Sequence, residues 1–335
     1  MSTTLGSLRR LVMAPPLREV GFEARGFPGA SSPSAAHLEA IPQSVVCGFE
    51  WGIDARDQWE VERRLAIVAA DLRGFAYEGA TMALTIRDVA GRGTRTRDLL
   101  RGPGDPHLFL AYIGIGFAMA RLPRALWRKV LPDLSDSPYH PTMSWLAVDG
   151  YGFDLAYFHT DKWVTRQQVP APYPWLGRPD YFPRAVDQGI GRALWFIHGA
   201  RPADVTPAVL RFDPARHADL WSGVGLAATF AGGATSAELA TLRAAAGEHQ
   251  AQLAQGAVFG AKARVHSGFV PEPSATAIGA LTDLSPADAS ALADRTAVTP
   301  DEDGAVTAYE LWRGGGAAPD NRPRGSPTPC GPPSG

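Results

Sequence analysis

Three side chains in this sequence have the types and spacing that proton-transfer chemistry uses: Asp154, His159 and His198. His159 stands nine residues after Gly150, and His198 nine after Gly189. The two histidines therefore hold one position in two copies of a repeated unit and are expected to stack on one side. Each follows an apolar or aromatic wall, Tyr157-Phe158 or Trp195-Phe196-Ile197. A carboxyl withdrawn from water is held toward its neutral form, and imidazole titrates near neutrality; together they suit general acid–base catalysis. The plainer reading gives Asp154 a cap or ion-pair role and bonds both histidines to backbone carbonyls. The sequence leaves both readings open. Arg192 is expected to pair with Asp187 or Asp154, and further acids, Glu78 and Asp149, directly precede leading glycines. Nothing fixes a metal-ligand spacing, so no metal is expected.

A second set of residues has the shape for ligand contact. Trp145, Tyr151, Tyr157, Tyr173, Trp175, Tyr181 and Trp195, with Asp187 and Arg192, are candidates to line an aromatic cleft. Flat rings suit a conjugated chain. Tyr173, Trp175 and Tyr181 fall between Val169 and Pro183, where five prolines in fifteen residues exclude regular helix. A loop that long inside a compact array is often functional.

The elements that must position these groups announce themselves by a spaced pair of small residues. It runs from Gly48/Gly52 through Gly79/Ala83, Gly114/Ala118, Gly150/Asp154, Gly189/Ala193 and Gly223/Ala227 to Gly256/Gly260. Successive leading glycines are 31, 35, 36, 39, 34 and 33 residues apart, the length of one helical hairpin in stacked repeats of the TPR kind. Residues four apart share a helix face, so paired small residues let a neighbouring helix approach closely. Asp154 is the one carboxylate at the second position. The Gly-x-Gly-x-Ala strings at Gly114, Gly189 and Gly223 are read as packing, because no parallel strand precedes them and no acid follows at the distance a dinucleotide site needs.

The expected fold is therefore all-α: a solenoid of about seven stacked helical hairpins with a disordered C-terminal tail. Residues 1–40 read as a terminal helix and connector, 41–298 as the repeat domain, 299–312 as a closing segment and 313–335 as the Gly/Pro/Ser-rich tail. Second helices are expected over Asp57–Ala70, Arg124–Leu131 and Ala237–Gln252, with N-caps at Ser236 and Ser285. Residues 305–312 read as a strand or a final helix.

A net charge of −2 gives no general attraction to nucleic acid or anionic membranes. Cys47 reads as a buried small hydrophobe, and with Cys330 in the tail a disulfide framework is not expected. The longest apolar run, Leu108 to Ala120, is too short to span a bilayer, and no secretory signal is visible. The chain reads as cytoplasmic. Leu5, Leu8, Leu11 and Val12 beside Arg9 and Arg10 would cap the first repeat or rest on a membrane surface. No Walker loop, nucleophile elbow or organic-cofactor motif is present, so no cofactor is expected.

Four segments resemble the UnbL-type proteins of enediyne biosynthesis: FLAYIGIGFAMA (109–120), YHPTMSWLAVDGYGFD (139–154), PDYFPRAVDQGIGRALWF (179–196) and ADLWSGVGLAATFAGG (218–233). The resemblance runs from about residue 5 to 312. It implies a bacterial accessory protein of an enediyne polyketide synthase cassette, working beside UnbU-type membrane and UnbV-type partners while a linear polyene is turned toward the enediyne core. It implies no catalytic residues. Three functions follow: a protein that binds a linear polyene or polyyne in a concave aromatic cleft, a cofactor-independent enzyme using Asp154 with His159 or His198, or a generic protein-interaction solenoid.

Overall fold

A computed structural model describes residues 16–91, 93–298 and 306–316. The terminal helix expected before residue 16 and the tail from residue 317 onward, with Cys330, lie outside the described residues. The described chain is helical throughout, with no strand among the described residues. Residues 308–316 form a helix, so the closing segment resolves to helix and continues through Arg313, where the tail was expected to begin.

Seven long helices carry the seven glycine motifs: α1 (Ala35–Asp54), α2 (Ala70–Gly91), α3 (Leu108–Arg121), α4 (Trp145–Phe158), α5 (Phe182–Ile197), α6 (Pro214–Ala231) and α7 (Gln250–His266). Each packs on the next in chain order. They run parallel: Gly48 meets Ala76 and, one turn on in both helices, Gly52 meets Ala80. The returning segments are short, among them Gln58–Ala66, Arg95–Leu100, a 3-10 turn over Arg124–Lys129 and Pro202–Leu210. The units are thus long helices joined by brief returns rather than hairpins of two equal arms.

The close contacts come from residues two apart as well as four apart. Position i+2 lies about 200° around a helix from position i. A Cβ at Gly114 would collide with the Glu78 carbonyl of α2, and one at Gly116 with the Ala147 carbonyl of α4. Gly150/Gly152, Gly189/Gly191 and Gly223/Gly225 repeat this, one glycine seated on the preceding helix and its partner on the following one. The Gly-x-Gly strings are therefore packing devices that let each of α3 to α6 touch both neighbours backbone to backbone.

The row of helices curls until its ends meet. Ser34 donates to the Gly233 carbonyl, His37 Nε2 lies 2.7 Å from Ala231 O, and Arg264 at the end of α7 donates to Asp71 O at 3.2 Å. The segment ahead of α1 crosses the ends of α4 and α5: Arg25 donates to Tyr157 O at 3.1 Å, and Ser32 to Gly199 O at 2.5 Å. The connector expected ahead of residue 40 is packed at Gly29 against Gly199.

Local signals mostly placed helix starts well. Ser285 caps Pro286–Arg295 by accepting from Asp288 N. At the other expected cap the start moves back one residue. Thr235, not Ser236, is the N-cap, and Glu238 closes a capping box that the Ser236 register had lacked. The helix expected over Ala237–Gln252 breaks at Gly247, whose φ of +54 is left-handed, and α7 begins afresh. Cys47 is only half-buried.

Candidate functional site

The curled row encloses an apolar interior in two adjoining lobes. The first lies between α1 (Val45, Phe49), α3 (Phe117) and α4 (Phe153, Tyr157). The second lies between α3 (Ile113), α6 (Phe230) and α7 (Phe259). Phe75 and Glu78 of α2 and Arg192 and Phe196 of α5 line both.

One sequence position builds most of this wall. The residue three after the leading glycine is Met82, Phe117, Phe153, Arg192, Leu226 or Phe259 in α2 to α7, and all six line a lobe. Five are apolar, and α5 alone places a guanidinium there. Arg192 donates to Asp149, and its charge lies 5.0 Å from the Phe153 ring centroid. It therefore pairs with neither Asp187 nor Asp154. Those carboxylates are taken by other arginines: Asp187 by both arms of Arg216 at 2.9 and 2.5 Å, Asp154 by Arg121 at 2.6 Å.

Glu78 is the group that stands apart. It is 2 % exposed, lines both lobes, and accepts no hydrogen bond from any of the described residues. Burial pushes its carboxyl up to about 8, against the pull of Arg192 and with a smaller push from Asp149. Burial also raises Asp149 and Asp154 above the usual carboxylate range, despite Arg192 and Arg121 respectively. Asp187 is pushed up to about 6 by the same cause, opposed by Arg216.

The predicted trio does not assemble around this interior. Asp154 lines the first lobe beside Arg121, whose side chain is 36 % exposed, so this ion pair stands where the lobe reaches solvent. His159 is exposed at the end of α4. His198 holds the equivalent place at the end of α5, half-buried, with both ring nitrogens unpartnered and its pKa lowered by burial to about 4. Neither histidine lines a lobe. The shared +9 register reflects two helix C-caps, where the chain leaves the interior.

Of the aromatic candidates, Tyr157 alone lines a lobe, and its hydroxyl donates to Val20 O at 2.5 Å. Trp145 and Trp195 are core residues, Trp195 donating to Gly232 O at 2.9 Å. Tyr181 is buried and accepts from Gln188 at 3.0 Å. Tyr151, Tyr173 and Phe182 surround Trp127. Trp175 is buried near Tyr173, and Arg124 pins the proline loop by donating to Ala171 O and Pro172 O, both at 3.0 Å. The loop is thus fastened to the outside of the helix row and contributes no ring to the lobes. Sequence reasoning missed Glu78 as a site residue, although its place directly before Gly79 was visible.

Among the described residues, no three His, Cys, Asp or Glu side chains gather as a metal set, and no helix is long and apolar enough to cross a membrane. Fold and site together define an all-helical protein with an apolar interior crossed by a small buried acid–base group. Residues 4–317 match the family described as Protein of unknown function (DUF1702), and the chain belongs to that family. No curated protein and no solved structure matched the chain.

Proposed function

We propose that this protein binds a linear, apolar, conjugated chain in its interior, as an accessory factor in building an enediyne-type polyketide. The observation that carries the reading is the two-lobed interior, walled by Phe117, Phe153, Phe230 and Phe259 and broken by polar groups at few places. A mostly apolar concavity with a small number of placed polar groups is the usual form of a small-molecule site. The resemblance of the four segments to UnbL-type proteins supplies the pathway and its UnbU-type and UnbV-type partners. The concave face expected of a repeat array becomes, in this reading, the inner face of the curled row, and the protein works in the cytoplasm.

The second reading, acid–base chemistry on the bound chain, is favoured by one observation, the unpartnered carboxyl of Glu78 against the interior. In this form the reading passes from Asp154 with His159 and His198 to Glu78.

A mass-spectrometric product profile tests both. Cells carrying the polyene-forming synthase and its partners are compared with this protein present, absent or bearing Phe117→Asp with Phe230→Asp. Binding predicts that omission and the blocked variant both lower the yield of the same products. Chemistry at the site predicts that Glu78→Gln changes product identity. A profile indifferent to omission overturns both readings and leaves the generic interaction protein.

A further inference from the structure

We propose that the interior takes a neutral two-armed ligand, a chain with a hydrogen-bond acceptor such as a ketone or ester carbonyl near its middle, with Glu78 donating to that oxygen. This rests on the reading of the interior as a chain-binding site and adds which chemistry the chain must carry and where.

The argument begins with position. Glu78 and Arg192 belong to both lobes, while the walls leading away from them are chiefly aliphatic and aromatic. A ligand filling both lobes therefore passes these two groups partway along its length. The other polar pair in the wall, Arg121 with Asp154, is closed on itself at 2.6 Å and stands toward solvent. It marks an entrance and makes no demand on the middle of a chain.

The next step is hydrogen-bond accounting. A polar group that faces a cavity without a protein partner is met there by water or by a ligand that replaces it. The Glu78 carboxyl accepts no hydrogen bond among the described residues. The guanidinium of Arg192 has five N–H donors, and its one described hydrogen bond goes to Asp149. Burial holds the Glu78 proton to about pH 8, so near neutrality the carboxyl is itself a donor. Unspent capacity at the junction is thus mainly donor capacity, and it calls for an acceptor.

Charge then selects among acceptors. Arg192 and Asp149 cancel, Arg313 of the last helix, which also acts on Asp149, belongs with Arg184 to a group balanced by Asp219 and Glu310, and Glu78 is neutral near pH 7. The faces of α1 and α3 toward the lobes add no further charge near the junction, being built from residues such as Val45, Phe49, Ile113 and Phe117. A carboxylate ligand would bring an uncompensated negative charge into an apolar interior, which is strongly unfavourable. A carbonyl oxygen meets the donors at no such cost.

The test uses the full chain, 1-aminoanthracene as a fluorescent occupant of the interior, and the isomers 5-nonanone and 2-nonanone as competitors. The isomers are equally apolar, so only the place of the oxygen differs. The expected result at pH 6.5 is half-displacement by 5-nonanone at about one-tenth the concentration of 2-nonanone, a factor worth ~1.4 kcal/mol. That preference should persist in Glu78→Gln, whose amide still donates, and vanish in Glu78→Leu. It should shrink between pH 7 and pH 9.5 in the unmodified protein and stay constant in Glu78→Gln. Equal displacement by both isomers, or a preference kept in Glu78→Leu, overturns the assignment while leaving the chain-binding reading intact. If neither ketone displaces the fluorophore, or it does not bind, the interior is not a chain site and both fall.

Discussion

Arg192 of α5 is held by Asp149 of α4, and both are buried where the two lobes meet. Asp149 directly precedes the leading glycine of its helix, and Arg192 lies three residues after the leading glycine of the next. Because Gly189 seats its bare Cα on the Asp149 carbonyl, the two helices are close enough for a short ion pair to span them. The pair therefore depends on the glycine, and the polarity of the interior depends on the pair.

Breaking that pair from one side should be costly. Arg192→Leu leaves Asp149 buried with only the weaker pull of Arg313 to oppose its charge, and loss of one partner of a buried pair typically costs about 3–5 kcal/mol. Urea unfolding should show a loss of that order for Arg192→Leu, and a smaller one for Arg192→Leu combined with Asp149→Leu. A double variant as damaged as the sum of the singles would show that the two residues act independently.

The Glu78 carboxyl should make stability fall as pH rises. Its folded pKa of about 8 lies above its ordinary 4.5, so the folded state holds the proton more tightly than the unfolded chain does. The advantage is complete below pH 4.5 and is lost as pH climbs to 8. At 1.36 kcal/mol per unit the loss is on the order of 5 kcal/mol. Denaturation of the unmodified protein and of Glu78→Gln across pH 5 to 8.5 should give curves that diverge steadily, with the variant losing less. Parallel curves would mean that Glu78 does not hold its proton in the fold.

How far the sequence could be read follows from these same residues. The glycine period was legible because a Cβ is intolerable at a backbone contact, a demand that shows in residue type alone. The start of Pro286–Arg295 was legible because capping is a local hydrogen bond. Pairing was not. Asp149 is 43 residues from Arg192 and Asp187 only five, yet Asp187 is taken by Arg216 across to α6. Which arginine reaches which carboxylate depends on how the helices rotate about their axes, which periodicity leaves free. The histidines misled for a related reason: equal register in a repeat fixes height along the helix and says nothing of whether that height faces the interior. The row three residues after each leading glycine was readable in principle, as five apolar residues interrupted by Arg192.

Glycines should divide sharply by what their missing Cβ would meet. Gly116→Ala drives a methyl into the Ala147 carbonyl and the α4 backbone and should unfold the protein or lower its stability by several kcal/mol. Gly279, inside Glu272–Thr282, has nothing within 4 Å of such a methyl. Gly279→Ala should raise stability by about 0.5–1 kcal/mol, the difference in helix propensity. Equal effects in thermal melts of the two variants would refute the contact-based account of the glycine rows.

Asp154 and Arg121 form one ion pair, yet removing either partner should have unequal consequences. The Asp154 side chain is 4 % exposed and that of Arg121 is 36 % exposed. Arg121→Ala leaves a carboxylate among Phe153, Phe158 and Tyr157 with no hydrogen-bonded counter-charge and only the weaker pull of His159 and Arg25, so stability should fall and the loss should grow as pH rises. Asp154→Ala leaves a guanidinium that reaches water and stacks on Phe158, 5.2 Å from its ring centroid, and it removes a desolvated acid. The alanine also matches the small residue that α2, α3, α5 and α6 carry at this position. Its effect on stability should stay within about 1 kcal/mol. That near-neutrality makes Asp154→Ala a clean functional probe, because a changed product profile could then be assigned to the lost carboxylate and not to a damaged fold. Chemical denaturation of both variants at pH 5.5 and pH 8 settles the asymmetry, and equal losses from the two substitutions would mean that the pair is solvated on both sides.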